Sequence, residues 1–214
     1  GKGSFINLIS QCRHYDSITA VDISDKHQQF IEDNFTDNQV EFRKENAYNL
    51  SFDNNSFDTV TLSNSIHHFK YPQKIAEEIF RVLKKDGKVI INEMYRDNLT
   101  KAQQSHKLLH HLAAEKDRIL GRFHAYTYIK SKLIEFLNSL NFTQIKLIDY
   151  TYPVDDIFNK DTIEHINQVC EKLIKQAETN RDLKHLTSEY KKVRRYINSN
   201  GYAHASSIFY IGRK

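Results

Sequence analysis

Apolar and polar residues alternate with two different periods along the first 95 residues. Short runs rich in β-branched and apolar residues predict strands over 18–23, 40–43, 57–62 and 88–93. Apolar positions at helical spacing predict helices over 4–13, 24–34 and 72–85, the second capped by Ser24 and the third stopped by Gly87. Strands and helices that alternate at short intervals build a parallel sheet with helices on both faces. The pattern therefore predicts an α/β fold with a doubly wound, mostly parallel sheet.

After Glu93 the hydrophobic pattern becomes mainly helical. Helices are predicted over 99–120 and 130–140, a strand over 144–150, two amphipathic helices of about 18 residues each, and a final strand over 206–211. We therefore expect a core unit over 1–95, a helical lid segment over 96–130, a core helix and strand over 131–152, a helical insertion over 153–201 and the last core strand over 202–214.

Composition is typical of a soluble globular protein. Of the 214 residues, 39% are hydrophobic and 27% are charged. The longest apolar runs fall far short of the roughly 20 residues that span a membrane. Cys12 and Cys170 lack metal or redox spacing, which favours two reduced thiols in a cytoplasmic protein.

The net charge of +4 is spread over the chain rather than concentrated. Its densest cluster, residues 191–195, lies in an amphipathic helix, and such a run is usually a solvated helix face. A nucleic-acid patch is the minority interpretation.

Polar residues follow the predicted strands in an ordered series. Gly1 and Gly3 precede the first helix, Asp22 ends a strand, Asn46 follows the next one, and residues 63–68 follow the strand predicted over 57–62. In an open α/β sheet, ligands bind over the carboxyl ends of the strands. Glycines let a ligand approach the backbone, a carboxylate can accept hydrogen bonds from a ribose diol, and an amide can pair with an adenine edge.

This ordered set resembles the class I S-adenosylmethionine-dependent methyltransferases, and most closely their small-molecule, ubiquinone- and menaquinone-biosynthesis group. Residues 1–5 resemble the end of the family's glycine motif, 21–24 its ribose-binding strand end, and 46–52 its Asp-Ala-x-x-Leu-Pro-Phe loop. Residues 54–60 and 79–88 are similar to its later signatures. The resemblance in motifs covers residues 1–95. The rest of the chain is similar only in its predicted architecture.

The resemblance implies a Rossmann-like, seven-stranded sheet whose last strand is antiparallel, with helical lid insertions where substrate choice resides. It implies S-adenosyl-L-methionine as cofactor and S-adenosyl-L-homocysteine as product. The cofactor-binding residues that it implies are Gly1, Gly3, Asp22, Ile23, Asn46, Ala47, Ser63, Asn64 and His68.

Three departures from the family pattern stand out. The acid and first glycine of the glycine motif are missing together with the first strand, so we expect a strand and a helix before Gly1. Asn46 stands where the family has Asp, which leaves the polarity of an adenine contact open. Ser51 replaces the loop proline and is expected to loosen the loop.

The helix predicted after Glu93 is rich in histidine. His106 and His110 share a helix face, as do His111 and Glu115, while His67 and His68 follow a core strand. Three interpretations stay open for these histidines: polar surface or cap contacts, substrate or proton-transfer residues, and a metal site. Because no compact motif such as His-Glu-x-x-His is present, we predict no metal site.

The implied reaction is an in-line attack on an already activated sulfonium, so positioning carries most of the catalysis. A protonated acceptor would also need a general base, and histidine suits that role. We predict that His110 or His111 is this general base, with His68 as the next candidate.

Two alternatives to a small-molecule methyltransferase remain: a nucleic-acid or protein methyltransferase, and a non-catalytic S-adenosylmethionine-binding protein. Residues 63–66 lack the Asn/Asp-Pro-Pro-aromatic motif of amino-methylating nucleic-acid enzymes. We therefore expect a small-molecule acceptor and no nucleic acid. The acceptor's identity and the oligomeric state stay open.

Overall fold

The computed structural model describes residues 3–12, 14–35 and 39–214, and its elements follow the predicted alternation. The helices are α1 (Ser4–Cys12), α2 (Gln28–Asn34), α3 (Pro72–Val82), α4 (Lys101–Ile119), α5 (Lys130–Asn138), α6 (Lys160–Thr179) and α7 (Leu186–Asn200). The strands are β1 (Ile18–Asp22), β2 (Val40–Lys44), β3 (Phe57–Ser63), β4 (Leu83–Met94), β5 (Thr143–Tyr150) and β6 (Ser207–Arg213). Short 3-10 helices cover Asp25–His27, Ile66–His68 and Arg181–Leu183.

The described strands form two sheets. β1 and β2 pair in parallel. The larger sheet has the order β3-β4-β6-β5, in which β3 and β4 are parallel and β6 runs antiparallel to both neighbours. The predicted α/β class with an antiparallel last strand is thus confirmed. Where the resemblance implies one seven-stranded sheet, the described residues form six strands in two sheets.

The helix predicted over 72–85 ends earlier than expected, at Val82. Leu83 adopts an extended conformation, is fully buried and pairs with Phe57 as the first residue of β4. Gly87 is therefore not a helix stop. A Cβ there would lie 2.8 Å from the Lys84 carbonyl oxygen, so glycine permits a close backbone approach inside an irregular part of the β3–β4 ladder.

The main core lies between the larger sheet and helices α3 and α5. Both helices present apolar residues four apart, which places them on one face. The core includes Ile75, Ile79, Leu133 and Leu137 from the helices and Val89, Ile91, Ile208 and Tyr210 from the sheet. This packing fixes the ends of the strands of the larger sheet, where part of the candidate site described below lies.

Helices α4, α6 and α7 pack against one another as a separate layer. Thr100 and Gln103 form a capping box that begins α4. Within the layer, the Ser105 hydroxyl donates to the Gly201 carbonyl oxygen (2.7 Å) and joins α4 to the end of α7. The layer is tied to the larger sheet by the hydrogen bond from Gln103 Nε2 to Ser206 Oγ (2.9 Å), directly before β6. Across the described part of the chain, every helix is too short or too polar to cross a membrane.

Candidate functional site

Most of the predicted cofactor residues lie at or just after the carboxyl ends of β1, β2 and β3. The Asp22 carbonyl oxygen accepts a hydrogen bond from the Glu45 backbone N–H at 2.9 Å, directly before Asn46, so the ends of β1 and β2 are neighbours. The turn after β2 also contacts the start of α3, because the Tyr48 hydroxyl accepts a hydrogen bond from the Tyr71 backbone N–H at 3.1 Å. Carboxyl ends of strands are where ligands bind in an open α/β sheet.

Asp22 presents a carboxylate at the end of β1. Its Oδ1 accepts the Ser24 backbone N–H at 2.9 Å. Burial by itself raises the Asp22 pKa, but the Ser24 hydrogen bond and nearby positive charge bring the pKa below its ordinary value. Ile23, the next residue, is 70% exposed and offers an apolar side chain beside this carboxylate.

Gly3 directly precedes α1, and its carbonyl oxygen accepts the Asn7 backbone N–H at 2.9 Å. Its φ of +71° lies in the left-handed region, and an added Cβ would lie 3.0 Å from the Phe35 ring. Both facts favour glycine at this position. Gly1, also predicted to bind the cofactor, lies outside the described residues.

Asn46 shapes the turn over residues 46–49. Its Oδ1 accepts the Tyr48 backbone N–H at 3.0 Å, and its carbonyl oxygen accepts the Asn49 backbone N–H at 2.8 Å. Because Oδ1 is engaged in the turn, the side-chain NH₂ is the group that can donate to a ligand. Ala47 packs against the main core and anchors the turn.

Helix α3 holds the rest of this loop. The Arg81 guanidinium donates to Glu78 Oε1 at 2.7 Å and to the Leu50 and Phe52 carbonyl oxygens at 3.0 and 2.8 Å. Glu78 in turn accepts the Leu50 backbone N–H at 2.8 Å. The hydrogen bonds from Arg81 lower the Glu78 pKa. This pair positions the loop even though Ser51 replaces the family's proline.

Ser63 and Asn64 form the end of β3. Asn64 has a φ of +45°, and its Oδ1 accepts the Met94 backbone N–H at 3.1 Å, so this side chain shapes the strand end. The Ser63 hydroxyl oxygen accepts a hydrogen bond from Asn92 Nδ2 at 3.4 Å. Asn92 Nδ2 also donates to the Tyr152 hydroxyl at 3.2 Å, which links Ser63 to the segment that follows β5.

Four histidines meet just beyond β3; we call His67, His68, His110 and His124 the histidine cluster. Their ring centroids lie 4.5 Å apart for His67 and His68, 4.0 Å for His68 and His124, and 4.8 Å for His67 and His110. Two of the predicted proton acceptors, His68 and His110, are therefore brought together. They join the 3-10 helix after β3 to α4.

Carboxylates orient two rings of the histidine cluster. His67 Nδ1 lies 2.6 Å from Glu93 Oε1, with both side chains fully buried, and His124 Nδ1 lies 2.8 Å from Asp117 Oδ2. Burial by itself raises the Asp117 pKa, but hydrogen bonds from Arg122 and His124 hold it below its ordinary value. A carboxylate oxygen accepts, so Nδ1 of each ring donates to its carboxylate, and Nε2 is the nitrogen left for other contacts.

Burial, aided by the neighbouring rings, lowers the pKa of His68 to about 3 and that of His110 to about 2. Part of the His68 side chain remains exposed, which gives the cluster contact with solvent. Burial also lowers the pKa of His124. These three rings are therefore uncharged at neutral pH.

His111, the third predicted proton acceptor, lies to one side of the cluster. Its Nε2 lies 2.9 Å from the Thr127 hydroxyl, and its ring stacks on Tyr126 at 4.5 Å. Burial, together with the charges of Lys107 and Arg96, lowers its pKa to about 4.

A cavity of about 580 Å³ opens where β5 ends, between α4 and α7. Its lining includes Gln103, Tyr152, Ile157, Phe158 and Ala203. The volume lies within the roughly 300–1,000 Å³ of small-ligand sites. Tyr152, which lines the cavity, is linked to Ser63 by hydrogen bonds through Asn92.

Comparison with known families gives a match in the first part of the chain. Residues 1–91 match a family model described as "Methyltransferase domain". The matched segment, called the methyltransferase domain below, is less than half of the 214-residue chain and includes β1, β2, β3 and most of β4. Over these residues the match agrees with the resemblance identified from the sequence.

This chain is also similar to a curated relative from Thermotoga maritima named demethylmenaquinone methyltransferase. The two are 29% identical over 140 residues, which cover 64% of this chain and 60% of the relative. The chain thus spans less than two thirds of that relative's length.

Two solved structures share the fold over 100% of this chain. They are the YcgJ protein of Bacillus subtilis (TM-score 0.59, 19% identity, 88% of that chain) and Haemonchus contortus phosphoethanolamine N-methyltransferase 2 in complex with S-adenosyl-L-methionine (TM-score 0.57, 20% identity, 46% of that chain). At this identity the likeness shows the fold alone.

Glu93 and His124 lie at the candidate site but were not predicted as site residues from the sequence. Glu93 was identified only as a strand end, although a charged residue closing an apolar strand could have indicated its role. His124 lies in the turn after α4, where no periodic pattern marks it. Its contacts with His68 and His110 depend on how the segment after α4 folds back onto the residues after β3, where the Ala125 backbone N–H donates to the His67 carbonyl oxygen at 2.8 Å.

Proposed function

We propose that this chain is an S-adenosylmethionine-dependent methyltransferase that transfers a methyl group to a small-molecule acceptor. The observation that carries the proposal is the placement of Asp22, the turn over 46–49 and Ser63 at or just after the carboxyl ends of β1, β2 and β3 within residues that match a methyltransferase domain. The Haemonchus enzyme, which shares the fold, was solved with this cofactor bound.

The proposed cofactor contacts follow from the chemistry of each residue. The ionised Asp22 accepts hydrogen bonds from the ribose diol, with Ile23 beside it. The Asn46 NH₂ donates to the adenine edge, and Ala47 sets the backbone of that turn. Gly1 and Gly3 admit the ligand close to the backbone, while Ser63, Asn64 and His68 border the methyl donor.

The cavity beside α4 supports a small acceptor with an apolar body. Ile157, Phe158 and Ala203 supply apolar surface, and Gln103 and Tyr152 supply polar groups that could orient a ligand. The Thermotoga relative is named for a demethylmenaquinone substrate, which also favours a small organic acceptor. We propose residues 96–130 and 153–201 as the lid over this acceptor.

Cofactor binding would supply an activated methyl group for in-line displacement, with S-adenosyl-L-homocysteine as the leaving product. His68, His110 and His111 remain our candidates for a proton acceptor. Each is uncharged at neutral pH, but pKa values of about 2 to 4 make each a weak base. We therefore propose that positioning of the acceptor contributes more to the rate than proton removal.

The experiment is to measure S-adenosylhomocysteine release with three sets of acceptors: apolar small organic molecules, nucleic acids and peptides. We expect release with a small organic acceptor and its loss in Asp22→Ala. Release with only nucleic acid or peptide would contradict the acceptor class. Cofactor binding without release in any set would favour the non-catalytic alternative.

A further inference from the structure

The histidine cluster brings ring nitrogens close together, and one of them is buried without a partner. Nε2 of the fully buried His67 has no hydrogen-bond partner among the described residues. One ring nitrogen each of His67, His68 and His124 lie within 4.8 Å of one another. A buried polar atom without a partner costs free energy, and a bound cation beside His67 Nε2 would remove that cost.

The distance between His110 and His124 matches metal coordination. Their Nε2 atoms lie 3.3 Å apart. In a tetrahedral zinc site with Zn–N bonds of about 2.0–2.1 Å, ligand nitrogens lie about 3.3 Å from one another. The nitrogens of His67, His68 and His124 lie within 4.8 Å of one another, so these rings would move closer together around a bound ion.

The outer contacts of the cluster are those of a metal site. Metal-binding histidines usually donate their second ring N–H to a carboxylate, which fixes the tautomer that presents the lone pair. Glu93 holds His67 in this way, and Asp117 holds His124. The two carboxylates also balance the charge of a divalent cation.

We propose that His67, His68 and His124, joined by His110, form a binding site for a divalent transition-metal ion such as Zn²⁺. Imidazole nitrogens suit zinc, copper, iron and nickel rather than calcium or magnesium. The exposed part of His68 provides a route of entry. The bound ion ties α4 and the turn after it to the 3-10 helix that follows β3.

This proposal departs from the prediction of no metal site, which rested on the lack of a compact motif. The ligands here come from three separate segments, so sequence spacing could not show them. The competing arrangement is a single proton shared between His110 and His124. A nitrogen that binds a metal cannot also take a proton from the methyl acceptor. At His68 and His110, the roles of metal ligand and proton acceptor therefore exclude each other.

The test is titration of chelator-treated protein with Zn²⁺ or Co²⁺ alone, followed by calorimetry and by the visible spectrum of Co²⁺. We expect one ion per chain, with the intense absorption of tetrahedral Co²⁺. His68→Gln and His124→Gln should each weaken binding at least tenfold. His165→Gln, an exposed histidine on α6, is the matched control and should leave binding unchanged.

Asp117→Asn changes a partly exposed side chain and keeps all four histidines. It therefore tests the contact that orients His124 without removing a proposed ligand. We expect it to weaken binding by about 10–100-fold with an unchanged circular dichroism spectrum. Equal affinity in the wild type, His124→Gln and Asp117→Asn would overturn the proposal, as would a Co²⁺ spectrum typical of six-coordinate water. Because no methyl donor is present, this result is independent of the proposed methyl transfer.

Discussion

His67 Nδ1 lies 2.6 Å from Glu93 Oε1, and neither side chain is accessible to solvent. Glu93 Oε2 also accepts the Ile66 backbone N–H at 2.8 Å. One carboxylate at the end of β4 thus satisfies two buried donors in the 3-10 helix that follows β3. The contact joins neighbouring strand ends beside the proposed methyl-transfer site.

Glu93→Ala should therefore lower the free energy of unfolding by about 3–5 kcal/mol, because two buried donors lose their acceptor. Glu93→Gln retains an acceptor oxygen and should cost less. Urea unfolding of metal-free protein measures both. Glu135→Ala, which removes an exposed ion pair with Lys132, is the control and should change stability by less than about 1 kcal/mol. An equal effect of Glu93→Ala and Glu135→Ala would rule out this role.

Arg81→Ala should loosen the loop that carries Asn46. The substitution removes hydrogen bonds to Glu78 and to the Leu50 and Phe52 carbonyl oxygens, and we expect a loss of about 1–3 kcal/mol in stability. We also expect weaker binding of S-adenosylmethionine, measured by calorimetry. Lys132→Ala is the control for loss of one exposed cation. Unchanged cofactor affinity in folded Arg81→Ala would show that the loop does not contact the cofactor.

Two glycines allow the cost of a close contact to be separated from that of backbone strain. Gly121 and Gly201 share a φ of +77°, but a Cβ has open space at Gly121 and would lie 2.7 Å from the Ile157 carbonyl oxygen at Gly201. Gly121→Ala should cost about 1–2 kcal/mol from strain alone. Gly201→Ala should cost at least about 1 kcal/mol more. Equal melting temperatures for the two variants would contradict this packing.

The order of strands and helices could be predicted because each element carries its own hydrophobic period, as in β3 and α3. The end of α3 could not, because Leu83 leaves the helix to pair with Phe57, a contact between distant residues. Asp22 and Asn46 could also be placed at strand ends, because the hydrophobic pattern of each strand shows where the strand stops. The contact of His124 with His110 depends on how the turn after α4 folds back, which no local pattern encodes.

Stability should fall in mild acid because buried histidines resist protonation. Burial, with a contribution from His204, lowers the His106 pKa from 6.5 to about 4, and His106 Nδ1 accepts the Ala205 backbone N–H at 3.0 Å. The unfolded chain binds a proton first, so this contribution is complete above pH 6.5 and is lost as the pH falls towards 4. His68, His110 and His111 act in the same direction.

His106→Gln should therefore show a shallower loss of stability between pH 6.5 and 4. Urea unfolding of metal-free protein across this range measures the slope. His165→Gln, on the exposed surface of α6, should follow the wild type. Parallel curves for His106→Gln and the wild type would show that His106 is not protonated preferentially in the unfolded chain.

Calorimetric titration with S-adenosylmethionine tests the central claim most directly. We expect saturable binding that Asp22→Ala weakens by about 1–3 kcal/mol, since the ribose hydroxyls lose their acceptor. Asp58→Ala removes an exposed carboxylate near the opposite end of β3 and should bind like the wild type. No binding at millimolar cofactor, or equal affinity in Asp22→Ala and Asp58→Ala, would contradict the proposed site.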